Sequence, residues 1–235
     1  MTSQKVAVIT GASQGIGAGL VTAYRKLGYA VVANSRTIER SDDPWVLAAP
    51  GDIAEPGTGT RVIEQGLKTF GRIDTLVNNA GLFVAKPFTE YTDDDYDLVE
   101  GVNLRGFFEI TRRAIAAMVE QGSGHVVNIT TTLADHALST VPSVLASLTK
   151  GGLNSVTKSL ATEYAAKGIR VNAVAPGVIR TPMHAAETHE FLAALHPLGR
   201  LGEINEIVDA VTYLESAAFV TGEILHVDGG QLAGH

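Results

Sequence analysis

The chain has no cysteine, which excludes structural disulfides and thiolate metal sites. It has no basic cluster, and its 235 residues carry a net charge of −7. That balance argues against nucleic acid and anionic membrane as partners. No apolar run reaches membrane-spanning length. The first strand is expected to begin at about Lys5, which leaves no room for a cleaved secretion signal and points to a cytoplasmic protein. No linker-like break, repeat or low-complexity tract interrupts the periodic apolar segments from Val6 to Val227. With 45% hydrophobic and 18% charged residues, the chain reads as one domain, 1–235, with a substantial core.

Apolar, β-rich runs alternate with longer helical patterns. The expected strands are Val6–Thr10, Ala30–Asn34, Trp45–Ala48, Thr75–Asn78, His125–Ile129, Arg170–Ala175 and Glu223–Val227. Several lack in/out alternation, as strands covered on both faces do. The expected helices are Ile16–Leu27, Pro56–Phe70, Asp93–Gln121, Val144–Lys167 and Ile204–Ser216. Gly28 and Gly168 sit where helix C-caps belong, and Pro56 suits a first helical position. The alternation predicts an α/β, Rossmann-type doubly wound sandwich with about seven parallel strands flanked by helices. Two segments look irregular: Arg36–Pro44, and Pro176–Gly202 with only a brief helical pattern over Ala185–Leu195. Within the second, 183–202 reads as a substrate lid.

The stretch VAVITGASQGIG, Val6 to Gly17, reads as strand, glycine turn and helix start. Gly11, Gly15 and Gly17 permit a sharp turn and close backbone approach. The helix start supplies unpaired N–H groups and the positive end of the dipole, a site for phosphate. Further on come Asn78-Asn79-Ala80-Gly81, Asn103 within VNL, Asn128-Ile129, Lys150 and Arg170-Val171-Asn172. Pro176-Gly177 and Val227-Asp228-Gly229-Gly230 complete the set. In order and spacing these stretches resemble the short-chain dehydrogenases/reductases over nearly the whole chain.

The resemblance implies a nicotinamide cofactor. Its contacts would be Gly11, Ser13, Gln14, Gly15, Ile16 and Gly17 in the turn, Asp52 and Ile53 after the third strand, and Asn79, Ala80 and Gly81 after the fourth. Lys150, Pro176, Gly177, Val178, Thr181 and Met183 would follow, with Thr181 on the carboxamide. An acidic residue at the end of the second strand would select NAD; that position is Ser35, followed by Arg36, a guanidinium suited to a 2′-phosphate. NADP is therefore the expected cofactor, with Arg40 as a possible helper. For Asp52 the competing role is capping its own turn, and for Asn78 and Asn79 it is tying strands together.

The resemblance also implies that Lys150 binds the nicotinamide ribose and that Asn103 bends its helix and holds a water. Gly151 and Gly152 suggest close packing beside the lysine. The family tyrosine, four residues before the lysine, is absent: Ala146 stands there. Without an acid, reduction of a carbonyl leaves an alkoxide, which is unfavourable near neutral pH. The family serine corresponds best to Thr131, with Thr132 a near competitor. Ser143 and Ser147 lie on or near the lysine's helix face and are candidates to replace the phenol. Lys150 itself, a water and His136 are others. Tyr96 suits packing. His184, His189 and His196 form no standard ligand set, so no metal is expected. The reading is an NADPH-dependent oxidoreductase, a homotetramer by resemblance, passing hydride to a ketone, imine or activated double bond of a small molecule. The alternative is an NADP-binding sensor or scaffold without catalysis.

Overall fold

Strands that are apolar at every position need cover on both faces, and the fold supplies it. The computed structural model describes residues 4–234. Seven parallel strands form one sheet in the order β3-β2-β1-β4-β5-β6-β7. They are β1 Val6–Thr10, β2 Ala30–Ser35, β3 Val46–Pro50, β4 Thr75–Asn78, β5 Gly124–Ile129, β6 Ile169–Pro176 and β7 Ile224–Val227. Val6, Val8 and Val32 face α2 (Thr58–Phe70), α4 (Phe107–Gln121) and α5 (Val144–Tyr164). Ala7, Ile9 and Val31 face α1 (Gly15–Lys26) and α7 (Ile204–Ser216). Side chains alternate between the faces, so each strand divides its apolar residues between two cores.

Two helix contacts depend on glycine. A Cβ on Gly59 of α2 would lie 2.7 Å from Ile110 N of α4, and one on Gly19 of α1 would lie 2.7 Å from Ile204 Cγ2 of α7. Gly28 and Gly168 hold the left-handed conformation, at φ 83° and 74°, just beyond helical segments.

Several boundaries differ from the sequence expectation. Helix α2 begins at Thr58, not Pro56; Gly57, left-handed at φ 86°, breaks the chain between them. Strand β3 is Val46–Pro50 rather than Trp45–Ala48. Pro50 is tolerated because β3 is an edge strand. The long helix expected over Asp93–Gln121 is α3 (Asp93–Glu100), a π-helical stretch Gly101–Gly106, then α4. In the irregular segment only α6, His189–Ala193, is α-helical, preceded by a 3₁₀ turn Ala186–Thr188.

The strand order reverses between β1 and β4, which are neighbours in the sheet. At such a switch point the loops leave in opposite directions and open a crevice at the carboxyl edge. No described helix is long and apolar enough to cross a membrane.

Candidate active site

The glycine turn rises into this crevice. Gly11 and Gly15 have φ of 64° and 55°, values that L side chains rarely adopt. A Cβ on Gly17 would lie 2.1 Å from Gly11 O, so α1 starts directly against the turn. Gln14 is the N-cap residue, but no side chain caps α1, and its first turn holds no acidic group. Ser13 and Gln14 are exposed and Ile16 is half-buried. The turn thus presents unclaimed N–H groups and a positive helix end to the crevice.

The loop after β4 is clamped to this turn. Thr10 Oγ1 accepts from Asn79 N and Ala80 N, both at 3.0 Å. Asn79 Nδ2 donates to Thr10 O at 2.9 Å and to Gly11 O at 3.2 Å. Thr10 is a positioning residue that sequence reasoning passed over as part of the strand. Asn78 is buried and donates to Thr111 Oγ1 and Asn128 Oδ1, both at 2.9 Å, so its amide joins strands and helix.

At the end of β2, Ser35 Oγ accepts from Thr37 N, and Thr37 Oγ1 reaches Ser13 Oγ at 3.5 Å. Arg36 and Arg40 are exposed and make no hydrogen bond or ion pair among the described residues. Asp52 Oδ1 caps Ala54 N at 3.0 Å, holding its own turn. Ile53 is buried, and a Cβ on Gly106 would lie 2.8 Å from Ile53 O, which sets the π stretch against the loop after β3.

Asn103 lies within that π stretch. Its Oδ1 accepts from Leu82 N at 2.9 Å; its Nδ2 donates to Leu82 O at 3.0 Å and to Thr149 Oγ1 at 3.1 Å. The extra residue of a π turn carries the amide to the loop after β4. Lys150, from α5, is buried, and its Nζ donates to Ile129 O at 2.8 Å. A Cβ on Gly81 would lie 2.9 Å from that Nζ and 3.5 Å from Asn103 Oδ1. Gly81, Asn103 and Lys150 therefore converge. Burial pulls the lysine pKa down to about 8. Its neighbours Gly151 and Gly152 do not pack tightly as expected: a Cβ would find its nearest atom at 3.8 Å for the first and nothing within 4 Å for the second. The lysine is buried by its place on α5, not by small neighbours.

The candidate hydroxyls differ in their commitments. Thr132 is buried and donates to Ala175 O or Asp228 Oδ2, which ties β6 to the loop after β7. Thr131 is half-buried, and its Oγ1 accepts from Leu133 N at 3.3 Å. Ser147 Oγ donates to Leu133 O at 3.3 Å. Ser143 is buried, and its side chain makes no hydrogen bond among the described residues. Ala146 is buried. His136 is half-buried in the loop.

After β6, the chain turns at Pro176-Gly177. Val178 N donates to His196 Nε2 at 3.0 Å, and Gly177 leaves room for that ring: a Cβ would lie 2.6 Å from Nε2. His196 is thus a buried prop of the loop, a role that nothing in its sequence surroundings signals. Thr181 sits over the glycine turn: a Cβ on Gly15 would lie 3.4 Å from its Cγ2. Met183 is exposed. His189 Nδ1 faces Arg180 Nη1 at 3.0 Å, and Arg180 Nε donates to Glu203 Oε1 at 3.0 Å. Among the described residues no group of three His, Asp or Glu side chains converges as metal ligands would.

A family model described as "Enoyl-(Acyl carrier protein) reductase" matches residues 11–231. The chain belongs to the short-chain dehydrogenase/reductase family. It is 33% identical to the 3-oxoacyl-(acyl-carrier-protein) reductase FabG of Thermotoga maritima, over 96% of this chain and 97% of that protein. It is 38% identical to L-xylulose reductase of Mus musculus, over 97% and 96%. Among solved structures, ElxO with NADP bound superposes with a TM-score of 0.91 at 29% identity, covering 98% of this chain and 99% of that one. A 3-ketoacyl-(acyl-carrier-protein) reductase from Brucella melitensis complexed with NADH gives 0.89 at 33% identity, covering 97% and 98%. The chain is accordingly a short-chain oxidoreductase.

Proposed function

We propose that this oxidoreductase binds NADPH and reduces a ketone, imine or activated double bond of a small molecule, using a proton donor other than tyrosine. The observation that carries this reading is the convergence of Lys150, Asn103 and Gly81 beside an uncapped α1 N-terminus under Thr181. These groups suit a dinucleotide. The turn amides of Gly15 to Gly17 would hold the pyrophosphate. Arg36, with Arg40 nearby, would take the 2′-phosphate, since no carboxylate stands at Ser35 to claim a ribose hydroxyl. Asp52 and Ile53 would flank the adenine. Lys150 would donate to the nicotinamide ribose, and Thr181 and Val178 would fix the carboxamide. When bound, the cofactor supplies the hydride. Relatives named for NADP and for NADH both superpose on the fold, so the preference for NADP rests on Ser35 and Arg36.

On this reading Ala146, four residues before Lys150, stands where the family has its tyrosine, and Thr131, Ser143 and Ser147 are the candidate hydroxyls. The same alanine favours a second reading, an NADP-binding sensor or scaffold. NADPH consumption against ketones, imines and enones, run with Lys150→Met, separates the two. Turnover that falls at least a hundredfold in the lysine variant is expected. Tight NADPH binding with no turnover, and none gained in Ala146→Tyr, would replace the reductase with the sensor. The edge position of β7 and the exposed Phe108 and Leu148 on α4 and α5 support a homotetramer.

A further inference from the structure

The segment between Thr181 and His196 is held by few contacts. Neither its 3₁₀ turn, Ala186–Thr188, nor α6, His189–Ala193, contains a buried residue, and Met183 and Phe191 are exposed. A segment with so little buried apolar surface opens at low cost. Its hydrogen bonds are mostly internal: Thr188 Oγ1 donates to Ala185 O at 2.7 Å, and Ala194 N to Glu190 O at 3.3 Å. Among the described residues, one side-chain hydrogen bond ties residues 183–195 to the body of the fold. It joins Arg180 Nη1 and His189 Nδ1 at 3.0 Å. A guanidinium only donates, so Nδ1 is the acceptor and the ring is neutral. Nε2 then carries the proton and donates to His184 O at 3.2 Å. Arg180 is itself fixed. Its backbone N donates to Gly202 O at 2.8 Å, and its Nε to Glu203 Oε1 at 3.0 Å. Glu203 is the N-cap residue of α7, in a reciprocal capping box with Glu206. Thr181 lies within this ring of contacts: Arg180 precedes it, and His184 N donates to its carbonyl at 3.1 Å.

We propose that His189 is a pH-sensitive latch: neutral, it holds residues 183–195, and with them Thr181, against the crevice; protonated, it lets them go. The inference rests on the reading of the crevice as an NADPH site. Protonation places an N–H where the lone pair accepts. Two donors and two positive charges then face each other across the 3.0 Å contact, and the tie is lost. Histidine is the side chain whose charge changes between pH 5 and 8, so release falls in that window. The charged and titratable groups of the surrounding elements do not reverse the sign. Arg180, on the turn after β6, opposes a charged ring directly. Glu203 and Glu206 of the α7 start are paired with Arg180 and Arg200. Glu187 and Glu190, on the 3₁₀ turn and on α6, are exposed, where water and salt screen them. The His184 pKa is lowered, by burial first and by the charge of His189 second, so that ring stays neutral to lower pH. Release frees the backbone on both sides of Thr181, and a nucleotide held by that hydroxyl then leaves faster.

The test uses the full chain as wild type, His189→Asn, His189→Lys and His184→Asn, between about pH 8 and 5.5. Asparagine keeps an acceptor near the Nδ1 position and cannot take a proton; lysine sets a permanent positive charge against Arg180. The first readout needs no nucleotide: amide hydrogen exchange of residues 183–195, corrected for the intrinsic pH dependence of exchange. Protection in wild type is expected to fall about fivefold over this range, the worth of one half-exposed hydrogen bond. His189→Asn should stay level, His189→Lys should be weakly protected throughout, and His184→Asn should keep the wild-type profile. The second readout is the NADPH dissociation rate by stopped-flow fluorescence. The ratio of the wild-type rate to that of His189→Asn should rise about fivefold as pH falls; the ratio cancels titration of the nucleotide's own phosphate and of Lys150. Wild-type protection that is level with pH, that falls equally in His189→Asn, or that is flattened by His184→Asn overturns the latch. A change in exchange with a constant rate ratio overturns its link to the cofactor. No NADPH binding at any pH overturns the cofactor reading and that link together, and the exchange profile alone then decides the latch.

Discussion

At the scale of single residues, Lys150 is under two opposed demands. Its proposed partner is a ribose hydroxyl, which needs an ammonium donor; its surroundings are buried, which lowers its pKa to about 8. The ammonium form is complete below that value and is lost as pH rises through it. NADPH affinity and kcat/KM should therefore decline above about pH 8, as read by a pH series of fluorescence titrations and rates. A flat profile to pH 9.5 would remove the lysine from cofactor binding. Arg36 gives a separate test. Arg36→Glu should weaken NADPH about ten- to a hundredfold, the worth of a charge-assisted pair, and leave NADH little affected. Equal weakening of both nucleotides would count against a 2′-phosphate contact. The sequence singles out both residues as candidates by position. It did not distinguish Thr131, Ser143 and Ser147, because what separates them is whether Leu133 claims the hydroxyl, a matter of how the loop folds back on α5.

At the scale of elements, periodicity located every helix core but missed the places where another element intrudes. The continuous pattern over Asp93–Gln121 could not reveal the π stretch, since Gly101–Gly106 is shaped by contact with the loop after β3 and by Asn103 reaching Leu82. Pro56 was a reasonable helix start, overruled by the left-handed Gly57. Gly59 is another contact-determined residue. Its missing side chain lets α2 lie against the backbone of α4, 2.7 Å from Ile110 N to an added Cβ. The obstacle is main chain and cannot rotate away. Gly59→Ala should cost about 2 kcal/mol, the range for overpacking, and lower Tm by roughly 4–8 °C. Gly152→Ala on α5, with nothing within 4 Å of an added Cβ, serves as control and should hold or raise Tm. Equal behaviour of the two in a thermal melt would refute the packing argument.

At the scale of the whole molecule, the alternation of apolar runs and helical periods was enough to give a parallel, doubly wound sheet, since each strand's composition reports its own two-sided cover. What no local pattern carries is the polar cluster at the opposite edge from the site. Glu215, at the end of α7, accepts from Tyr24 OH at 3.0 Å, Tyr29 OH at 2.9 Å and Thr75 Oγ1 at 3.0 Å, and pairs with His125 Nδ1 at 2.9 Å. These partners lie up to 191 residues away in sequence. Burial alone would raise the carboxyl pKa, but the hydrogen bond and charge of His125 and the two phenols outweigh it and hold the group down to about 2. The His125 pKa is lowered, chiefly by burial, so the ring is neutral at pH 7, with Nδ1–H facing Glu215. The carboxyl is depressed on folding, so its contribution is complete above pH 4.5 and is lost as pH falls from there towards 2. A depression of this size is worth about 3 kcal/mol. Glu215→Gln should lower the unfolding free energy at pH 7 by less than that amount, because the neutral His125 ring supplies a hydrogen bond but no charge there. His125, depressed on folding, adds a loss that begins below pH 6.5 in both proteins. Urea unfolding at pH 7, 5.5, 4.5 and 3.5 separates the two groups: wild type and variant should run parallel down to 4.5 and converge below it. Curves that stay parallel to pH 3.5 would show that the carboxylate does not hold the amino edge of the sheet to α7.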